Sequence, residues 1–458
     1  MKNLKFCMKM FAVVAIAMMF GCSDIDQPVE SEIDVVSKKL PLLTQEESIA
    51  LAVQRKGTYF ISENEAIEKF QRFLAFNGQK GTKTKSATDG DIRVLSTSLK
   101  RNAKTGDVMY YEVVFESEKG TGFSLISADE RIQEVLCYSE VGAISDTSFN
   151  KSLKFCLELV DFYVENQTKE ELDVETLALS ANEKILASSD DNNSRLKRVI
   201  PPLDPNNPCC GWYLKSYYTI TSTDLREKLV PGGWHQDAPF NNLLPYVSGI
   251  TTSNGRALVG CGMIAVSQVM AYHKKNYTNK IKTSDWPAMI ANPAASTLLQ
   301  GLMLDLFNAM KTSYGTSGTS SNNITAAAFL DSNGFTTNHT FGVPNPASSY
   351  SFANVWNALQ WGPTLIRGTR SGNVGHMWVI DGAKQVNYQT IEVWEYEHNG
   401  NILQIPHTTY HGCHKTVRFD WGWGIPSDNT WFNDGVFLMP SSQNNYNSNV
   451  QVFDYIKP

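Results

Sequence analysis

Residues 260–273 read GCGMIAVSQVMAYH, in which a glycine-rich turn leads into an almost uninterrupted apolar segment. This pattern predicts a buried helix with Cys261 in its first turn. Free N–H groups and the positive end of the helix dipole favour the thiolate there, and the thiolate is the nucleophilic form of cysteine. A small core residue at a helix start is the alternative interpretation of Cys261.

Two later segments carry groups that suit a nucleophilic thiolate. Residues 375–382, GHMWVIDG, predict a strand that begins near His376 and ends at an Asp-Gly turn, and an imidazole at a strand start can serve as the base. Residues 419–424, FDWGWG, supply Asp420, whose carboxylate can accept the second ring N–H of His376, while Trp421 shields that bond from water. An Asx-turn with packed indoles is the alternative for this segment.

These three motifs, in this order, resemble those of the streptopain-like cysteine proteases over about residues 210–440. The family consists of secreted bacterial endopeptidases with the papain fold. The resemblance implies that Cys261 is the nucleophile, His376 the general base and acid, and Trp421 the shielding indole. It therefore predicts an α+β fold with a papain-like catalytic domain.

The same resemblance predicts an oxyanion hole. Residues 234–241, WHQDAPFN, are similar to the family segment whose glutamine donates to the oxyanion, so Gln236 and the backbone N–H of Cys261 would be the two donors. Two residues depart from the family pattern, since Asp420 stands where asparagine is usual and His235 where glycine is common. A carboxylate binds imidazolium more strongly than an amide does, which would shift the pH profile.

The first part of the chain predicts a smaller α+β unit. Its signals are capping boxes at Thr44/Glu47 and Ser62/Glu65, a hairpin of 109–116 and 123–127 around Gly120-Thr121-Gly122, and a helix over 151–166. Residues 40–187 are similar to the propeptide that blocks the cleft of streptopain-like proteases. The fold class predicted for the whole chain is a papain-like catalytic domain preceded by this smaller α+β propeptide domain.

Between the two units the composition becomes acidic and Asn-rich, then basic, then Pro-rich over 188–208. Such a stretch predicts an exposed linker. Cleavage near Arg195, Lys197 or Arg198 would release the catalytic domain. A fixed interaction domain that never leaves is the alternative for the first unit.

The chain begins with lysines and the apolar run Phe11–Phe20, which ends at Gly21-Cys22. The run is shorter than the ~20 residues that span a bilayer, so it predicts an export signal rather than a membrane helix. The segment resembles a bacterial lipoprotein box, which implies cleavage before Cys22 and its acylation. We therefore expect attachment to the cell envelope, in the periplasm or on the outer-membrane surface, and release after processing. A plain secretory signal is the alternative.

An exported protein meets an oxidising environment, in which cysteines can form disulfides. Six cysteines remain beyond the signal and the anchor, namely Cys137, Cys156, Cys209, Cys210, Cys261 and Cys413. If one is a free nucleophile, at least one more is unpaired. Cys156 lies on the apolar face of a helical pattern and is interpreted as a core residue, while a bridge from Cys209 or Cys210 to Cys413 is left open.

Composition and missing motifs exclude several functions. The net charge of −6 provides no basic stripe for nucleic acid, and no phosphate loop or dinucleotide fingerprint occurs, so we expect no cofactor. Four potential metal ligands lie within 407–414, but strand alternation would let at most two or three converge. No metal is therefore predicted, with a structural zinc site as the alternative.

The prediction for the chain is an exported, lipid-anchored zymogen of a cysteine endopeptidase. Its substrates would be proteins or peptides, and its own propeptide would inhibit it. The predicted segments are a signal peptide at 1–21, a tether at 22–40, the propeptide at 41–190, a linker with the activation site at 191–208 and the catalytic domain at 209–458. An inactive, protease-derived binding lipoprotein is the main alternative, and a carbohydrate-binding surface protein rich in tryptophan is a third.

Overall fold

The protein is described from a computed structural model. The described residues are 43–76, 92–132, 134–145, 151–169, 172–188, 212–338, 347–369, 375–398, 401–424, 429–437 and 450–458. The predicted signal, tether and Cys22 lie outside them, as do Cys209, Cys210 and the candidate cleavage residues Arg195, Lys197 and Arg198. Within these ranges, no helix has the length and apolar character needed to cross a membrane.

Both predicted capping boxes open helices in the first unit. Helix α1 spans Gln45–Lys56, where the Thr44 hydroxyl accepts from the Glu47 N–H and Glu47 Oε2 accepts from the Thr44 N–H at 2.8 Å. Helix α2 spans Glu63–Phe76 and begins with the same reciprocal pair, Ser62 and Glu65. These local signals were readable because each box satisfies backbone donors with side chains only three residues away.

Four antiparallel strands form the middle of the first unit: β1 (Arg93–Arg101), β2 (Val108–Ser117), β3 (Gly120–Ser127) and β4 (Val135–Ser139). Helix α2 packs on one face, with Phe70 5.1 Å from Phe115 between ring centroids. Helix α3 (Lys151–Gln167) packs on the other face, and α4 (Val174–Ser188) packs on α1. The mixed helices and strands confirm the α+β class.

The predicted hairpin exists, but its turn was misplaced. The chain reverses at 118–119, and the glycines at 120 and 122 belong to β3. A Cβ at Gly122 would collide with the carbonyl oxygen of Ser139 on β4. The second glycine is therefore needed for close approach of two strands, and it does not mark the turn.

One sheet runs through both units. Its strands beyond β4 are β5 (Trp212–Glu227), β9 (Ala347–Ser349), β10 (Thr364–Thr369), β11 (Gly375–His398), β12 (Asn401–Asp420), β13 (Asn429–Asn433) and β14 (Gln451–Phe453). The strand order is β1-β2-β3-β4-β13-β12-β11-β10-β14-β9, with β5 paired to β11. We call the pairing of β4 with β13 the seam. Across it Cys137 faces Phe432 and Ser139 faces Thr430.

Helices cover the sheet of the second unit. Helix α5 (Cys261–His273) lies at the centre, with Gly262 to Ala271 buried, and packs against the face of β11 that carries Met377 and Val379. On the same face of the sheet lie α6 (Trp286–Ala291), α7 (Thr297–Met310) and α8 (Asn323–Ser332), whereas α9 (Phe352–Ala358) packs on the opposite face, in the cluster that contains Trp378. The short strands β6 (Ser313–Gly315) and β7 (Gly318–Ser320) pair with each other, and β8 (Thr336–Thr337) pairs with β15 (Ile456–Lys457).

The predicted Asp-Gly turn at 381–382 is wrong, because β11 continues through it. The register with β12 shifts between Ile380 and Gly382, so the pair forms a bulge. Asp381 is buried and accepts from Arg418 Nη1 at 2.6 Å on the neighbouring strand. This ion pair lets the aspartate stay inside the sheet instead of at a loop.

Candidate active site

Cys261 is the first residue of α5. Gly260 precedes it with a φ of +102°, which favours glycine, and a Cβ there would lie 2.9 Å from the Met263 sulfur. A Cβ at Gly262 would collide with the Ser321 hydroxyl. The two glycines therefore let the helix start approach its neighbours closely, which holds the partly exposed cysteine at the edge of the core.

His376 is the second residue of β11, as the sequence indicated, and the start of this strand meets the start of α5. The His376 side chain hydrogen-bonds to the Cys261 thiol, and the Met377 N–H donates to Cys261 Sγ at 3.4 Å. Two residues far apart in sequence thus come into direct contact. The arrangement is that of a nucleophile beside a base.

Opposing forces act on the Cys261 thiol. Burial alone would raise its pKa, because it penalises the thiolate. The charge and hydrogen bond of His376 and the N–H groups of Met377 and Gly262 outweigh burial, so the pKa of Cys261 lies below its ordinary value. A thiolate is therefore available at a lower pH than for a free cysteine.

Tryptophans fix the plane of the His376 ring. Trp378 stacks on it with centroids 5.5 Å apart, and Trp423 stacks at 6.4 Å. Trp421, the indole predicted to shield the histidine, packs on Trp378 at 5.1 Å. Sequence reasoning missed Trp423 and Trp378, although both lie inside the motifs that were used.

Asp420 is the last residue of β12 and pairs with Val379, three residues along β11 from His376. It is 1% exposed, and its Oδ1 accepts from Gln268 Nε2 at 2.8 Å and from the Gly422 N–H at 3.0 Å. The second bond is the Asx-turn left open above. It coexists with any action of Asp420 on the histidine, which stays a prediction.

Gln268 is a third residue that the sequence analysis did not use. Its side chain lies within the apolar helix α5, where it also donates to the Pro231 carbonyl at 3.0 Å. A buried amide needs such partners, because an unpaired polar group is costly. The lone glutamine in an apolar run was the available signal that α5 bonds to something outside itself.

Gln236 lies in a loop whose backbone bonds to the residues just before Cys261. It is 6% exposed, and its carbonyl accepts from the Val259 N–H at 2.9 Å, two residues before Cys261. The neighbouring Asp237 carboxylate accepts from the Ser253 N–H at 3.0 Å, which fixes the same loop. The backbone of Gln236 therefore lies close to the start of α5, and its role at an oxyanion stays a prediction.

His235 connects the Gln236 segment to the turn after β12. Its ring packs on Phe240 with centroids 4.6 Å apart, and a Cβ at Gly424 would lie 2.9 Å from it. Burial lowers its pKa, although Asp237 opposes that shift. The histidine that departs from the family pattern is thus a packed residue of the site's wall.

The other cysteines and histidines do not form a metal site within the described ranges. No group of three His, Cys, Asp or Glu side chains converges there. On β12, Cys413 is an exposed free thiol and His414 is buried, as strand alternation predicts. The side chains of Cys156, His407 and His411 lie outside the description, as do both possible partners of a Cys413 disulfide.

Comparison with known families agrees with this geometry. Residues 234–432 match the model of the Peptidase C10 family, and residues 58–164 match that of the Spi protease inhibitor. No curated protein matches the chain. A peptidase domain acts on protein substrates, and an inhibitor domain in the same chain inhibits it intramolecularly. The chain therefore carries a peptidase domain of the C10, or streptopain, family at 234–432, preceded by a Spi-type inhibitor domain at 58–164, and is a cysteine protease zymogen.

Proposed function

We propose that the protein is an exported, lipid-anchored endopeptidase whose catalytic groups are Cys261, His376 and Asp420. The observation that carries this proposal is the contact of His376 and the Met377 N–H with the Cys261 sulfur at a helix N-terminus. A thiolate stabilised in this way attacks a peptide carbonyl carbon without first needing to lose a proton.

In the first step, Sγ of Cys261 bonds to the scissile carbonyl carbon and the carbonyl oxygen takes the negative charge. The Cys261 N–H and the Gln236 side chain donate to that oxygen. The His376 imidazolium then gives its proton to the leaving amine as the C–N bond breaks. The products of this step are a thioester and the free amine.

In the second step, His376 removes a proton from water, and the resulting nucleophile attacks the thioester carbon. The C–S bond breaks, the acid product leaves and the thiolate returns. Asp420 orients the histidine, either directly or through the strand pair that both residues share. Trp421 and Trp423 keep water away from the ring.

Activation takes place by cleavage of the linker at 191–208. Cleavage near Arg195, Lys197 or Arg198 separates the inhibitor domain from the catalytic domain. The N-terminal signal with Cys22 supports an envelope location, in the periplasm or on the outer-membrane surface.

The experiment uses residues 23–458 as wild type, Cys261→Ala and, as a matched control, Cys413→Ala, since Cys413 is a free thiol on the surface. Each protein is reduced and treated with a trace of trypsin, and chain cleavage and casein hydrolysis are followed. We expect cleavage between 188 and 200 in all three, with casein hydrolysis only in the wild type and Cys413→Ala.

If all three are cleaved but none hydrolyses casein or takes a thiol-directed label at Cys261, the catalytic proposal is wrong. The inactive binding lipoprotein then becomes the better explanation. Glycan binding that Cys261→Ala leaves unchanged would instead favour the carbohydrate-binding alternative.

A further inference from the structure

Arg367 is a charged residue beside the candidate site that the catalytic steps do not use. It lies near the end of β10, directly opposite Met377 of β11 on one side and Gln451 of β14 on the other. Directly opposed residues have Cβ atoms ~5 Å apart and project from the same face of the sheet. Arg367 therefore projects from the face that α5 covers, next to the residue whose N–H contacts the Cys261 sulfur.

The position of Arg367 on this face is at the boundary between core and cleft. Leu365, two residues earlier on the same face, belongs to the buried cluster around α5. Arg367 itself is partly exposed. Along this face of β10, the side chains thus change from the apolar Leu365 to the charged Arg367 close to Cys261.

Arg367 has no acidic partner among the residues that the structure describes. Within the described ranges, no Asp or Glu forms an ion pair with Arg367, and Cys261 is the charged group with which it interacts. Burial lowers the pKa of its guanidinium, and the Cys261 thiolate opposes that shift. A partly buried cation without a carboxylate is costly, so its retention calls for a ligand that supplies one.

Among the described residues, no side chain accepts a hydrogen bond from the guanidinium of Arg367. Gln451 engages its side-chain oxygen with Asn323 Nδ2 at 2.9 Å, which ties it to α8. Guanidinium groups bind carboxylates through two parallel hydrogen bonds, which adds orientation to charge attraction. A peptide held for attack by Cys261 would place its nearby side chains within reach of this group.

We propose that Arg367 is a specificity-determining residue that binds a glutamate or aspartate side chain of the substrate close to the scissile bond. The inference rests on the proposed peptidase function of Cys261. It adds a substrate class to that function, namely polypeptides with an acidic residue beside the cleaved bond.

The test uses protein produced as the full chain and then activated by cleavage of the linker. Its substrates are peptides blocked at both ends, so that an acidic side chain is the sole carboxylate. The peptides differ by Glu, Gln or Lys at one position at a time around the scissile bond. We expect kcat/KM to favour Glu over Gln by roughly 10- to 100-fold at one position, the range expected for a charged hydrogen bond.

Three variants and a control separate specificity from structure. Arg367→Met should remove the preference by lowering kcat/KM for the Glu peptide toward its value for the Gln peptide, and Arg367→Lys should keep part of the preference. Arg367→Glu should reverse the preference toward Lys. The control is Arg226→Met, which removes a partly buried arginine stacked over Trp356, and it should keep the Glu preference.

If Arg367→Met lowers kcat/KM equally for all peptides and shifts the pH profile of hydrolysis, the proposal is wrong, because Arg367 would then act only through the Cys261 thiolate. An unchanged Glu preference in Arg367→Met would overturn it as well. Binding of the same peptides to Cys261→Ala is measured in parallel. Arg367-dependent tighter binding of Glu peptides without any hydrolysis in the wild type would support the Arg367 proposal and refute the peptidase proposal alone.

Discussion

Cys261 and Cys137 are both thiols in contact with the protein core, yet their surroundings act on them in opposite directions. Cys137 lies in β4 at the seam, 1% exposed, and burial raises its pKa well above the ordinary value. Cys261 lies at a helix start beside His376, and its pKa is lowered. The difference shows that reactivity depends on the partners that the fold brings to the sulfur.

The two positions also differ in how the backbone around them is used. At Cys137 the N–H and C=O groups belong to the sheet, and the Ser124 hydroxyl donates to the Cys137 carbonyl at 3.0 Å. At Cys261 the helix has just begun, so N–H groups of its first turn have no carbonyl partner within the helix. The start of α5 therefore has donors to offer a negative sulfur, whereas burial among the described residues is what acts on the sulfur of Cys137.

The largest expected effect is on alkylation. In the native protein at pH 6.5, iodoacetamide should modify Cys261 about 1,000-fold faster than Cys137, because the latter reacts only after local opening of the core. Mass spectrometry of peptides quenched over time gives both rates, with unfolded protein as the control in which they should be similar. Comparable native rates would mean that the two environments do not differ as described.

Removing the histidine should abolish much of this contrast. In His376→Ala, the pH midpoint of Cys261 alkylation should rise toward the ordinary thiol value of about 8.5, and its rate at pH 6 should fall by about 10- to 100-fold. His235→Ala serves as the control, since His235 packs on Phe240 and lies in the wall of the site. A midpoint unchanged in His376→Ala would show that the helix start alone stabilises the thiolate.

The seam cysteine should matter for stability instead. Cys137→Ser places a hydroxyl in an apolar, buried position and should lower the free energy of unfolding by about 1–3 kcal/mol, whereas Cys137→Ala should cost about 1 kcal/mol. Urea unfolding measures both values, and Cys413→Ser on the surface is the control. If Cys137→Ser is as stable as Cys137→Ala, the sulfur's surroundings offer a hydroxyl a partner.

The smallest effect concerns pH at the seam side of β12. Burial lowers the pKa of His414, Glu134 opposes this, and Arg72 and Lys69 of the first unit add to it. The pKa of His414 in the folded protein lies below the unfolded value of about 6.5. Between these two pKa values the unfolded state binds the proton more readily, so the free energy of unfolding falls as the pH is lowered through this range. In His414→Gln this part of the loss should disappear.

The measurement is urea unfolding at pH 7.5 and at pH 5. A suitable control is His273→Gln, since burial lowers the pKa of His273 to about 4 within the catalytic domain, away from the seam. Both variants should lose less stability on acidification than the wild type. After cleavage of the linker, only His414→Gln should make acid-driven separation of the two units harder.

The helix that begins at Cys261 and the two capped helices of the first unit could be predicted from the sequence, because their signals are local. The apolar run after Cys261 and the two capping boxes are read from residues within one or two turns of each other. The glycines before and after Cys261 gave the close helix start. The contact of Cys261 with His376 came from resemblance, because no periodicity in the sequence brings two such distant residues together.

Other features required pairings that lie outside any local window. The stacking of Trp423 on His376 depends on the register between β11 and β12, and the seam depends on β4 finding β13. Asp381 was taken for a turn because its partner Arg418 lies on another strand. Arg367 was not noticed, since one cation in an apolar strand has no meaning until its neighbours are known.

The continuity of the sheet through the seam has a consequence for the mature enzyme. If the inhibitor domain is released as proposed, the backbone of Thr430 to Phe432 loses the partners it has in β4. An unpaired strand edge attracts other strands and is a route to aggregation. Under the proposed activation, release of the inhibitor domain would therefore uncover a strand edge that is paired in the precursor, and this edge would be open to pairing with another strand.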